Sequence, residues 1–183
     1  VSNFGSGIKK LGGLIAAAFS IQIIKSFTQE IISLAAKAEG VRQGFDNLNA
    51  PGLLTNLRTA TRGTVTDLEL MQRAVMAKNF KIPLSQLATY FEFATKRATQ
   101  TGQSVDYLVD SIVTGIGRKS VLVMDNLGIS AVELQQEVEK VGDFGIAAGN
   151  IIRRELESMG DVADTTATKI AKISTAWENI KTG

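Results

Sequence analysis

This chain is punctuated for helices. Thr66 precedes a helically spaced apolar run, Glu69 follows three residues on as the reciprocal partner of a capping box, and Val65 is set to staple onto Leu70. Ser130 repeats the pattern with Glu133, and Ile129 pairs with Leu134 across it. Ser104 opens a third run, with Val105, Leu108, Val109, Ile112 and Val113 on one face. Gly63, Gly102 and Gly142 stand where helices should stop, and Gly115 is read as the residue just past the Ser104 helix. No run alternates apolar and polar residues convincingly, so the expected fold class is all-α.

The spacing predicts a long N-terminal helix and about six shorter helices forming a bundle or array. The first runs from about Ile8 to Leu48, with Leu11, Ile15, Ala18, Ile24, Phe27, Ile31, Leu34 and Ala38 recurring, and Asn49-Ala50-Pro51-Gly52 stops it. That exceeds the usual globular range of roughly 8–20 residues and points to a rod, an assembly element or a membrane-associated segment. Further helices are expected over Leu53–Arg62, from Thr66 to about Lys78, from Leu84 beyond the break at Pro83 to Gly102, and at the Ser104 and Ser130 caps. The last two cover about Gly145–Met159 and Asp161–Lys181. In the final helix Val162, Ala163, Ala167, Ile170, Ala171, Ser174, Trp177 and Ile180 line one side. Two domains follow, 1–50 as the long apolar helix and 51–183 as a multi-helix unit.

Composition narrows the chemistry. Among 183 residues there is no cysteine and no histidine, which removes disulfides, thiolate nucleophiles, Ser-His-Asp arrangements and zinc sites built on those ligands. The expectation is a non-enzyme with no cofactor and no metal. Net charge is +2, spread as +3 over residues 1–60, +3 over 61–120 and −4 over 121–183. This polarity suits orientation against neighbouring copies or a charged wall, and is too weak for nucleic-acid binding.

Several stretches raise sharper readings. "GIGRKS" (Gly115–Ser120) approaches a phosphate loop, but Arg118 replaces the glycine before Lys-Ser, Ser120 replaces the third glycine of a dinucleotide fingerprint, and both glycines follow a helix instead of opening one. A helix stop and turn is preferred to a nucleotide-dependent enzyme. Asp106 and Asp110 share a helical face as an acid–base or metal pair, or as a first-turn acid and a solvated one; the second is preferred. Asp125-Asn126-Leu127-Gly128 lacks the ligand spacing of a calcium loop and reads as a turn into the Ser130 cap. Trp177, Tyr90 and Tyr107 lack the basic groove of a stacking platform, so packing is expected of Trp177. Arg153-Arg154-Glu155 and Glu157 read as a solvated face.

"LGGLIAAAFSIQII" (Leu11–Ile24) is apolar for 14 residues, short of the roughly 20 that a spanning helix needs. Leu11, Leu14, Ile15, Ala18, Phe19, Ile23 and Ile24 are candidates for a self-association seam, with membrane contact second.

The segment "SVDYLVDSIVTGIGRKSVLVMDNLGIS" (Ser104–Ser130) resembles the tape-measure proteins of long-tailed bacteriophages and related prophages. The likeness falls on Ser104, Val105, Leu108, Ile112, Gly117, Arg118, Ser120, Asp125, Asn126, Leu127, Gly128 and Ile129. "DVADTTATKIAKISTAWENIKTG" (Asp161–Gly183) is similar to the same family, as in style is "LGGLIAAAFSIQIIKSFTQEIISLAAKAE", so the resemblance reaches from about residue 11 to the end. It implies a fragment of a structural protein lying in several copies inside the tail tube, in the virion tail after assembly in the bacterial cytoplasm. Such a protein helps set tail length and leaves ahead of the genome. Implied partners are copies of itself, tail-tube and tail-tip or baseplate proteins, an assembly chaperone and, as the alternative reading, a host membrane into which the N-terminal helix inserts. No specific nucleic-acid sequence is implied. The family's long coiled-coil body and any peptidoglycan-cleaving domain lie outside these residues.

Overall fold

The computed structural model describes residues 36–160 and 163–182 and divides the chain into two compact units, Val1–Gly40 and Val41–Gly183. Of the expected long first helix, residues 36–46 are helical (α1), and the rest of it lies outside the described residues. Then follow α2 (Leu53–Ala60), α3 (Asp67–Asn79), a 3-10 turn over Leu84–Gln86, α4 (Leu87–Thr101), α5 (Val105–Gly117), α6 (Val121–Asp125), α7 (Ala131–Val141), α8 (Phe144–Ser158) and α9 (Thr166–Thr182). No strand occurs among the described residues, as the periodicity required.

Local signals set most of these boundaries. At α3 the Thr66 hydroxyl accepts from the Glu69 N–H at 3.3 Å, and the Glu69 carboxylate accepts from the Thr66 N–H at 3.0 Å, a complete capping box. Ser104 caps α5 through the Tyr107 N–H at 3.2 Å. Ser130 caps α7 through the Glu133 N–H at 3.4 Å, but the Glu133 carboxylate does not return to it and binds Arg154 at 2.9 Å instead. Gly102 and Gly142 end α4 and α7 in the left-handed conformation, as their positions indicated.

The core forms around α5, which packs against α3, α4, α6 and α8. Leu108, Val109, Ile112 and Val113 are fully buried there, with Leu70 and Ala74 from α3, Phe91 and Phe93 from α4 and Ile151 and Ile152 from α8. The staple pairs Val65 with Leu70 and Ile129 with Leu134 belong to the same cluster.

Three expectations need correction. Gly115 does not end its helix: α5 continues through Gly117, and Gly115 is buried where a Cβ would lie 2.7 Å from Met124 Sδ. Glycine serves close helix approach there, not chain reversal. The reversal falls on Lys119, whose φ is +52°. Ser120 N–H donates to the Gly115 carbonyl at 2.9 Å and Lys119 N–H to Ile116 at 3.2 Å, the paired bonds of a Schellman end. Next, the turns expected at Gly115–Ser120 and at Asp125–Gly128 are separated by a short helix that the spacing did not indicate, α6, which Ser120 caps through the Val123 N–H at 3.4 Å. Finally, α9 starts at Thr166, five residues later than expected, with the Thr165 hydroxyl accepting from the Thr168 N–H at 3.1 Å.

Candidate functional site: the α5–α6 corner and the α9 face

The corner is welded to the core from inside. Met124, Leu127 and Ile129 are buried, while Asp125, Asn126 and Ser130 face solvent. After α6 the chain turns through Gly128 N–H to Asp125 (2.8 Å) and Ile129 N–H to Met124 (3.3 Å), with Gly128 at φ +73°. The Arg97 guanidinium lies 3.4 Å from where a Gly128 Cβ would stand, covers the Phe93 ring at 5.1 Å and pairs with Glu155 at 3.0 Å. The corner is thereby fixed against α4 and α8.

A phosphate cradle needs free backbone N–H groups, and at this corner they are spent. Arg118, Lys119 and Ser120 donate to the carbonyls of Thr114, Ile116 and Gly115. What the corner does offer is side-chain chemistry, because Gly117 and Lys119 form one wall of a cleft of about 560 Å³.

α9 is built the other way round from α5. Its inward side is polar and small: Thr175 is buried, the Asn179 carbonyl accepts from the Asp67 N–H at 2.9 Å, and Arg42 donates to the Thr182 carbonyl. Asp164, before the helix, bridges Arg62 and Lys172. The apolar stripe points outward, with Ile170 63%, Ile173 73%, Trp177 60% and Ile180 74% exposed. This corrects the expectation that Trp177 packs internally. Its indole instead carries Lys181 Nζ at 5.8 Å from the ring centre. The intervals of three, four and three residues are those of a two-helix seam.

The other singled-out groups are structural cross-links. Asp110, expected to be solvated, pairs with Arg73 at 2.7 Å, and Asp106 lies 3.8 Å from the same guanidinium. Burial, then the charge of Glu69, raises the Asp106 carboxyl above its ordinary value. Arg154, expected on a solvated face, ties α8 to α7 through Glu133 and Glu137, and the Asn150 amide donates to Glu137 at 2.9 Å. No group of three or more acidic side chains suited to a metal ion occurs among the described residues.

Leu11, Leu14, Ile15, Ala18, Phe19, Ile23 and Ile24 lie outside the described residues. Among the described helices, none is long and apolar enough to cross a membrane. Comparison with family models, with characterised proteins and with solved structures found no match to this chain.

Proposed function

We propose that the chain is a non-catalytic structural protein that works by helix–helix association, as a tape-measure segment in several copies within a phage tail tube. It helps set tail length and leaves ahead of the genome. The wording of Ser104–Ser130 and Asp161–Gly183 supports the family, and one structural observation supports the mode of action: the outward stripe Ile170, Ile173, Trp177 and Ile180. Four large apolar side chains in seam register on one exposed helix face are unusual for a surface in permanent contact with water. The face fits a second copy of the same helix, or a helix of a tail protein with matching spacing.

The absence of cysteine makes the test clean. Cysteine placed in turn at positions 170, 173, 177 and 180, followed by mild oxidation, is expected to give a covalent dimer at one or more of them. Thr175→Cys, on the buried side, should give none. Monomer at all four seam positions would remove self-association through α9.

A further inference from the structure

The cleft beside the corner has a chemical character of its own. It is bounded by the end of α3, the start of α4, the end of α5 and the first turns of α8. Phe80, Ile82, Pro83 and Ile116 give it an apolar side, and Lys81, Lys119 and Arg153 a basic one. Its volume of about 560 Å³ falls in the range of small-molecule sites, roughly 300–1,000 Å³.

Three observations indicate a ligand instead of incidental space. Tyr90 is 3% exposed and lines the cleft, yet its hydroxyl has no hydrogen-bond partner among the described residues. The buried side-chain atoms without a partner among the described residues are Arg73 Nε, Arg97 Nε and Asp106 Oδ1, so the Tyr90 hydroxyl is open to the cleft and free to bond a group held there. Arg153 is held by neutral groups only, the Gln86 side-chain carbonyl at 3.1 Å and that of Asn150, so its orientation is set and its charge is not neutralised. Asp143, the one carboxylate in the wall, accepts from the Ile146 N–H at 2.9 Å and opposes an anion, so the wall sets three basic side chains against one acidic.

The third observation concerns the two lysines of the wall. Lys81 (φ +61°) and Lys119 (φ +52°) each occupy the left-handed position just past a helix, where glycine is ordinarily favoured. The α3 end repeats the Schellman bonds of the α5 end, with Ile82 N–H on Ala77 at 2.9 Å and Lys81 N–H on Lys78 at 2.9 Å. α4 and α7 use glycine for the same purpose. α2 ends in the same way on Arg62 (φ +52°), which does not line the cleft, so the conformation itself does not mark the site; what it does here is place two ammonium groups that form no side-chain bond among the described residues.

We propose that this cleft binds a small organic anion, an apolar body carrying a terminal phosphate or carboxylate. The apolar wall takes the body, while Tyr90 Oη, the Arg153 guanidinium, Lys81 and Lys119 receive the charge. Two glycines make the room: a Cβ on Gly149 would stand 2.8 Å from Tyr90 Oη, and one on Gly117 would stand 2.2 Å from the Phe80 ring. The site is independent of association through α9.

Calorimetric titration of the whole chain with phenyl phosphate tests the proposal, with benzoate and inorganic phosphate as companion probes. One saturable site is expected for the two organic anions. Tyr90→Phe and Arg153→Gln should each weaken it about tenfold, the worth of a hydrogen bond to a charged group. Lys119→Gln, on an exposed residue that leaves the fold intact, should weaken it less. Three results would overturn the proposal: no saturable heat with either organic anion, equal affinity for inorganic phosphate, or affinities unchanged in Lys119→Gln and in circular-dichroism-verified Tyr90→Phe.

Discussion

α5 and α9 carry the same kind of apolar spacing and end up in opposite situations. The stripe of α5 is fully buried among α3, α4, α6 and α8, whereas that of α9 faces out while threonine and asparagine side chains hold the helix to its neighbours. Periodicity therefore states that a helix has a face needing a partner and does not say whether the partner belongs to the same chain. Polar positions decide that. In α9 the inward Thr175 and Asn179 find hydrogen-bonding or close-packed places that its isoleucines do not occupy.

The sharpest way to break this contrast is to truncate one residue from each stripe. Ile112→Ala in α5 should cost about 2–5 kcal/mol in denaturant unfolding, from lost burial plus the cavity left behind. Ile173→Ala in α9 should change unfolding of the monomer by no more than about 0.5 kcal/mol. Equal costs would mean that the two faces are equivalent.

Next in size are the glycines of α5. Alanine favours a helix interior over glycine by about 1 kcal/mol, yet a Cβ at Gly115 meets Met124 and one at Gly117 meets Phe80. Gly115→Ala and Gly117→Ala are each expected to destabilise by about 1–3 kcal/mol through overpacking, read as a lower thermal midpoint. A gain in stability would show that α6 and Phe80 move aside freely.

The α7–α8 clamp gives a pH signature. Donation from Asn150 first, then the charges of Arg154 and Lys140, holds the Glu137 carboxyl below its ordinary 4.5. Its folded state thus binds the proton less tightly than its unfolded state. The stability it adds is complete above that ordinary value and is lost as pH falls through the depressed one. Glu137→Gln should lower the thermal midpoint at pH 7 and flatten its fall on acidification. An unchanged acid limb would remove Glu137 from the clamp. A modest gain is expected at the α5 end, where Lys119→Gly relieves left-handed strain and should raise stability by roughly 1 kcal/mol. That variant also removes a cation from the cleft, so stability and anion affinity should move in opposite directions.

Most helices were legible because caps, stops and spacing agreed, as at Thr66–Glu69, Ser104 and Gly142. The α5 end was misread because glycine signals two things, a left-handed turn and a close approach, and only the neighbouring Met124 separates them at Gly115. The cleft was not legible, since Tyr90, Lys119 and Arg153 are far apart in sequence and meet only through packing of α4, α5 and α8. A lysine just before Ile82-Pro83, at a helix end, was the one local sign available. The outward direction of Trp177 had no sign at all in the spacing, which is the same whether the partner lies inside the chain or beyond it.

The central claim is that the α9 stripe is an association surface, and sedimentation equilibrium of the chain beside Ile173→Lys tests it most directly. The account predicts concentration-dependent assembly of the unaltered chain and a monomeric variant with an unchanged thermal midpoint of the monomer. A strictly monomeric parent at high concentration, or a variant that assembles as the parent does, would contradict it.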